Sequence, residues 1–135
     1  EAVALQLSEI KYGGCNGEFS LPKTRAQLNH KVYGEPGRDT LTYEVDDELR
    51  IFLGLNYICC APFVAESEVM GDTLVLAVRD TCAVPSETCY CRCMCYYTFT
   101  WTFAVAEAGE TNLRVELHDP RVDGVAILYQ FEFGY

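Results

Sequence analysis

The chain contains the stretch Tyr97-Thr98-Phe99-Thr100-Trp101-Thr102-Phe103-Ala104-Val105, in which large apolar side chains alternate with smaller ones. Alternate residues of a β-strand point to opposite faces, so this pattern predicts a strand with one buried face and one polar face. Trp101 lies in the middle of the apolar face, between Phe99 and Phe103. We therefore expect Trp101 to be buried in the core.

The same two-residue period recurs over most of the chain, and no segment shows a convincing helical period. It predicts further strands near residues 3–7, 41–45, 49–57, 64–70, 74–78, 113–117 and 125–135. In the last of these, Ile127, Phe131 and Phe133 are expected on one apolar face. About seven to eight short strands in a single domain of residues 1–135 predict an all-β fold, a two-sheet antiparallel β-sandwich of immunoglobulin-like or Greek-key type. A closed β-barrel is the second alternative.

Composition narrows the class of protein and the class of partner. Half of the 135 residues are hydrophobic and 22% are charged, which is typical of a folded globular domain and excludes a disordered chain. Twenty acidic residues against ten basic ones give a net charge of −10. A chain this acidic is repelled by duplex nucleic acid and by anionic bilayers, so no nucleic-acid partner is expected.

The eight cysteines indicate the compartment. An even number of cysteines at this density predicts complete pairing in an oxidising environment. We therefore expect an exported protein of the periplasm, the outer membrane or the cell surface. The sequence shows no basic segment followed by an apolar one, so a secretory signal, and with it a membrane tether, is expected to lie in a removed N-terminal segment.

All the cysteines are disulfide candidates: Cys15, Cys59, Cys60, Cys82, Cys89, Cys91, Cys93 and Cys95. Bridges between alternate residues of one extended strand are disfavoured, because their Cα atoms are roughly 6.5 to 7 Å apart. The adjacent Cys59 and Cys60 point to opposite sides of their strand and suit two different partners. We expect them to bond to the segment 89–95, and a local Cys82–Cys89 bridge is the first pairing that we predict. The sequence does not choose among the remaining connectivities.

A metal-binding protein is the alternative function. Its ligands would be the thiolates of Cys59, Cys60, Cys91, Cys93 and Cys95. Zinc sites usually bring two sulfurs onto one ion with a C-x-x-C turn, and this chain has C-x-C-x-C-x-C instead. A loop with that spacing would suit a soft metal. We favour disulfides over this alternative and over free or redox-active thiols, and we expect no metal or other cofactor.

Two stretches resemble uncharacterised small envelope lipoproteins of gut Bacteroidetes. They are Asn56-Tyr57-Ile58-Cys59-Cys60-Ala61-Pro62 and, after Gly71-Asp72-Thr73-Leu74, the run Cys91-Arg92-Cys93-Met94-Cys95-Tyr96-Tyr97-Thr98-Phe99. The resemblance covers residues 50–130 and implies export, with outer-membrane anchoring through a lipid on a removed N-terminus. It implies no enzymatic activity. This chain differs from the group by its additional Cys15, Cys82 and Cys89.

The sequence contains no constellation that is typical of an enzyme. The only two histidines are His30 and His118, and the neighbouring His118-Asp119 pair does not by itself predict a catalytic triad. No phosphate-binding loop, serine-nucleophile motif or zinc-protease motif is present. The acidic groups at 46–48 and at Asp119 with Asp123 are interpreted as solvated turns, with weak calcium binding as the alternative. We therefore expect a protein that is not an enzyme.

Four residues near the cysteine run are candidates for an exposed contact surface. Tyr90, Arg92, Met94 and Tyr96 are out of phase with the cysteines or with the aromatic face of the following strand. The functional hypothesis is therefore a secreted or cell-envelope β-sandwich module that disulfides stabilise. Its role would be structural or binding. Its partner would be an unidentified protein or glycan ligand, and the sequence does not predict the oligomeric state.

Overall fold

A computed structural model of the chain describes residues 3–13, 32–34, 40–83, 89–122 and 124–135. These residues form nine strands and no α-helix: β1 (Leu5–Gly13), β2 (Val32–Gly34), β3 (Thr40–Val45), β4 (Glu48–Ile58), β5 (Phe63–Met70), β6 (Thr73–Asp80), β7 (Met94–Val105), β8 (Glu110–His118) and β9 (Ala126–Gly134). Within the described ranges, accordingly, no helix is long and apolar enough to cross a membrane.

The described strands form two separate sheets. One has five strands in the order β1-β7-β4-β3-β2, and the other has four in the order β5-β6-β8-β9. Each sheet belongs to a compact unit of its own. The all-β, two-sheet class expected of a β-sandwich is confirmed, and the described strands do not close into a barrel. That residues 1–135 act as a single domain remains a prediction.

The centre of the five-stranded sheet is the antiparallel pair β4 and β7. Ile51 lies opposite Trp101, with Leu53 opposite Phe99 on one side of that pair. The side chains of Trp101 and Ile51 are both fully buried, as the alternation predicted for Trp101. Burying an apolar side chain of this kind stabilises the fold by about 1.5 to 3 kcal/mol relative to leaving it exposed.

The four-stranded sheet differs from the expected antiparallel arrangement. Strands β6 and β8 pair in parallel, with Leu74 opposite Leu113 and Arg79 opposite His118. The reason is the order of the chain, which leaves β6, runs through β7 in the other sheet and then returns as β8. Parallel neighbours need such a long crossover, whereas a short hairpin produces only antiparallel neighbours.

Strand β9 does not keep one continuous apolar face. Its pairing with β8 shifts register between Val115 and Glu116, so that Tyr129 lies opposite Val115 but Ile127 lies opposite Glu116. Such an irregularity places an extra residue in one strand and changes the phase of the side chains. Ile127 is consequently 52% exposed, while Phe133 is buried. The expectation that Ile127 shares the buried face is therefore wrong.

Candidate functional site

The first disulfide lies directly beyond the end of the β4–β7 ladder, whose last pair is Ile58 with Met94. The backbone N–H of Cys59 donates to the carbonyl oxygen of Cys93 at 3.0 Å, which adds one further rung. The Cα atoms of the two cysteines are 5.3 Å apart, within the usual range for a disulfide, and they are bonded. The expected bond between Cys59 and the alternating cysteine segment is confirmed.

The neighbouring cysteine forms the second bridge. Cys60 is bonded to Cys91, with 5.5 Å between their Cα atoms. The φ angle of Cys60 is +70°, in the left-handed region, which costs a residue with a Cβ roughly 1 kcal/mol. The chain turns sharply just after it, where the N–H of Phe63 donates to the carbonyl of Ala61 at 3.1 Å. The adjacent cysteines thus have two different partners, as predicted.

The third bridge joins Cys82 to Cys89, which are 7 residues apart with Cα atoms separated by 5.9 Å. The buried carboxylate of Asp80 connects the two sides of this bridge. Its Oδ1 accepts the N–H of Cys82 at 2.9 Å, and its Oδ2 accepts the hydroxyl of Tyr90 at 2.7 Å. The predicted local bridge is confirmed; the proline within it, Pro85, lies outside the described residues.

Tyr90 is therefore held in a polar setting instead of standing free in solvent. Its ring is half-buried, and the guanidinium carbon of Arg121 lies 5.5 Å from the ring centre. Burial, followed by the hydrogen bond to Asp80, raises the pKa of Tyr90 to about 12. Both effects favour the neutral phenol.

A third sulfur atom, that of Cys95, lies next to the Cys59–Cys93 bridge. Its side chain is 4% exposed, and it is itself disulfide-bonded. The Sγ atoms of Cys93 and Cys95 are 4.0 Å apart, and the Sγ atoms of Cys59, Cys93 and Cys95 all lie within 4.8 Å of one another. Of the five candidate metal ligands, these three form one cluster, whereas Cys60 and Cys91 are bonded to each other. Cys15 lies outside the described residues.

The candidate contact residues divide into exposed and buried ones. Met94 is 62% exposed and Arg92 is exposed as well. Tyr96, however, is only 7% exposed, so its expected exposure is wrong. The reason is Gly54, which leaves room for the Tyr96 ring where any Cβ would overlap it.

A network of charged side chains on the four-stranded sheet is absent from the sequence predictions. Arg79 forms an ion pair with Glu66 at 3.0 Å and donates to Nδ1 of His118 at 3.2 Å. Because arginine only donates, this nitrogen is the acceptor, and Nε2–H of His118 donates to Glu116 at 3.0 Å. Glu116 also pairs with Arg114 at 2.8 Å. Arg114, Glu116 and His118 are alternate residues of β8, and only the parallel β6–β8 register, which no local sequence pattern predicts, brings Arg79 to them.

One cationic side chain, that of Arg50, contacts the acidic turn at 46–48. Arg50 forms ion pairs with the carboxylates of Glu44, Asp46 and Glu48. The backbone N–H of Glu48, followed by Arg50, lowers the pKa of Asp46 below its ordinary value. One guanidinium thus offsets part of the charge of three carboxylates, and the interpretation of this segment as a solvated turn remains a prediction.

The second acidic group consists of Asp119 and Asp123, and its described member, Asp119, has a cationic partner. Asp119 pairs with Arg121 at 2.8 Å, while the neighbouring His118 interacts with the network on the sheet. The remaining candidates, His30 and Asp123, lie outside the described residues.

The described residues of the unit that holds the four-stranded sheet line two open cavities of note. The larger, of about 370 Å³, has three carboxylates in its lining, those of Asp72, Glu110 and Glu132. The smaller, of about 300 Å³, includes Arg79 and His118. The sequence reasoning missed the larger one because its carboxylates converge only through the pairing of β8 with both β6 and β9.

These features define a class of protein, a small all-β domain whose described cysteines are joined in disulfides. No protein-family model matches the chain, and comparisons with curated proteins and with solved structures find no match either.

Proposed function

We propose that this chain is an exported domain of the cell envelope or the extracellular space, with a structural or binding role, whose fold depends on its disulfides. One observation carries the proposal: every cysteine in the described residues is disulfide-bonded. Such dense bridging is typical of oxidising compartments, because cytosolic thiols are kept reduced.

Other observations support the proposal. The resemblance to envelope lipoproteins is in line with the same compartment and adds a lipid tether through a removed N-terminal segment. The net charge of −10 favours a protein or glycan partner over nucleic acid or an anionic membrane. Both ring nitrogens of His118 are already engaged by neighbouring side chains, which favours a structural role over catalysis for that histidine.

Within this proposal, Arg92 and Met94 form the contact surface. Met94 is the first residue of β7 and is 62% exposed, and the exposed Arg92 lies two residues earlier. Methionine adapts its shape to a partner, and both residue types are enriched in protein–protein interfaces. The chemistry therefore favours a protein partner over a glycan.

The test compares the chain produced with a signal for the bacterial periplasm and the chain produced in a reducing cytoplasm. We expect the exported protein to have no free thiols, and peptide mapping without reduction to find the pairs 59–93, 60–91 and 82–89. We expect the cytoplasmic protein to be less stable until it is oxidised. Equal stability of a cytoplasmic protein with free thiols would contradict the proposal.

A further inference from the structure

Cys59, Cys93 and Cys95 form a sulfur cluster. Its geometry also suits a metal ion, once the cysteines are reduced. We propose that, when its bridges are reduced, this cluster binds one soft monovalent cation, Cu(I), through three thiolates. This inference goes beyond the proposed function, which concerns the oxidised protein. It rests on the mutual approach of the three Sγ atoms within 4.8 Å.

The spacing of the sulfurs matches a three-coordinate site. Soft cations bind thiolate sulfur at about 2.3 Å, the zinc value, and three sulfurs in a plane around such an ion are then about 4.0 Å apart. The Sγ atoms of Cys93 and Cys95 already have a separation of 4.0 Å. The Sγ atoms of Cys59 and Cys93 are bonded in the oxidised protein, and reduction frees them to separate toward the same spacing.

Backbone pairing of β4 with β7 places the three ligands side by side. All eleven residues of β4 pair with β7, and the Cys59–Cys93 backbone hydrogen bond of 3.0 Å extends this ladder. The hydroxyl of Tyr97 also donates to the carbonyl of Ile58 at 2.6 Å, next to the site. Cys95 lies on β7, and Cys59 and Cys93 are joined by the hydrogen bond that directly follows the ladder, so the ligand positions are largely set by strand pairing, as a tight metal site requires.

Burial and ligand type favour Cu(I). Cys59 and Cys95 are 1% and 4% exposed, whereas Cys93 is exposed and leaves a path for the ion. The cluster contains sulfur ligands only, which select soft ions such as Cu(I) or zinc. Zinc normally requires a fourth ligand, and this cluster supplies three.

The chemistry balances with an added reductant. A dithiol or a phosphine supplies two electrons, and with two protons the Cys59–Cys93 bond becomes two thiols. The bridge of Cys95 is reduced in the same way. Binding of Cu(I) then releases three protons from the three thiols, and the oxidation state of the metal does not change.

The experiment uses the full chain with Cys59, Cys93 and Cys95 as its only cysteines, after serine replacement of Cys15, Cys60, Cys82, Cys89 and Cys91. The protein is reduced with a phosphine without oxygen and titrated with Cu(I) against a coloured Cu(I) chelator. We expect one Cu(I) per chain. A further Cys95→Ser or Cys59→Ser replacement should weaken binding more than about 100-fold, beyond the usual effect of removing an outer-shell partner. A further Tyr12→Phe replacement, which leaves all three cysteines in place, is the matched control and should leave Cu(I) binding unchanged.

If the reduced variant is unfolded, circular dichroism tests whether Cu(I) binding refolds it. The three sulfurs converge only when β4 and β7 pair, so Cu(I) should then restore the β-sheet spectrum. Failure to restore it, absence of binding by a folded variant, or equal binding after Cys95→Ser would each overturn the proposal. Binding of several Cu(I) ions per chain would overturn the single three-thiolate site.

Discussion

At the scale of single residues, Gly54 decides where Tyr96 lies. The ring of Tyr96 occupies the space that a Cβ at position 54 would need, and this leaves Tyr96 only 7% exposed. Glycine inside a strand normally weakens it and often marks a close approach of another group. Here the approaching group is the ring of Tyr96, which was expected to be exposed because it is out of phase with the aromatic face of β7.

Gly54→Ala should therefore destabilise the fold by about 1 to 3 kcal/mol, because the added methyl group overlaps the Tyr96 ring. Urea unfolding measures this change, and Gly134→Ala, where a Cβ meets no close atom, is the control. In a Tyr96→Ala background the same substitution should become neutral or stabilising. If it costs as much there as in the wild type, the overlap is not the cause.

The raised pKa of Tyr90 predicts that the free energy of unfolding falls in alkaline solution. Its pKa is about 12 in the folded protein, against an ordinary value of 10.0, first because of burial and then because of the bond to Asp80. The folded state therefore favours the neutral phenol, and this contribution is complete below pH 10 and is lost as the pH rises through 12.

The Tyr90→Phe variant should lack this loss between pH 10 and 12, and it should be less stable at neutral pH by about 1 to 2 kcal/mol. Urea midpoints over the pH range, together with the tyrosinate absorbance, measure both effects. Tyr12→Phe, at a tyrosine that is 52% exposed, is the control and should keep the alkaline loss. Identical pH profiles for the wild type and Tyr90→Phe would contradict the assignment.

At the scale of elements, two bridges constrain almost the same length of chain. The Cys59–Cys93 bond spans 34 residues, and the Cys60–Cys91 bond lies inside it and spans 31. When one is removed, the other still closes the loop. The entropy of the unfolded chain therefore rises substantially only when both are absent.

Replacement of either cysteine pair by alanine should cost about 2 kcal/mol or less, whereas replacement of both should cost about 4 kcal/mol or more. Denaturant unfolding of the two double variants and the quadruple variant measures this non-additivity. Removal of the Cys82–Cys89 bridge, which spans only 7 residues, is the control and should cost the same in each background. Simple additivity of the first two bridges would show that loop closure is not how they stabilise the protein.

At the scale of the whole molecule, the oxidised protein should show a β-rich far-UV spectrum and a blue-shifted emission from the buried Trp101. Reduction should lower the Tm by roughly 15 °C or more, because several loop constraints vanish together. A metal chelator should leave the oxidised protein unchanged. A Tm that is insensitive to reduction, or one that falls with chelator, would contradict the role of the disulfides.

The sequence by itself determined the strands other than the short β2, the burial of Trp101 and the segments that the cysteines join. Each of these follows from a local rule: side chains alternate with a period of two, and neighbouring cysteines of one extended strand are too far apart to bond. Such rules act within a few residues and need no knowledge of the partner strand. The stretch from Tyr97 to Val105 was sufficient to predict β7.

The tertiary structure decided which strands became neighbours and what their side chains met. The parallel pairing of β6 with β8 brings Arg79 to His118, 39 residues further along the chain. This pairing is parallel because the chain crosses over through the other sheet between the two strands. The register shift in β9 exposes Ile127, and Gly54 buries Tyr96. The three-sulfur cluster likewise needs the exact register of β4 against β7. Contacts of this kind depend on loop closure and on packing across strands, and neither is encoded in a local pattern.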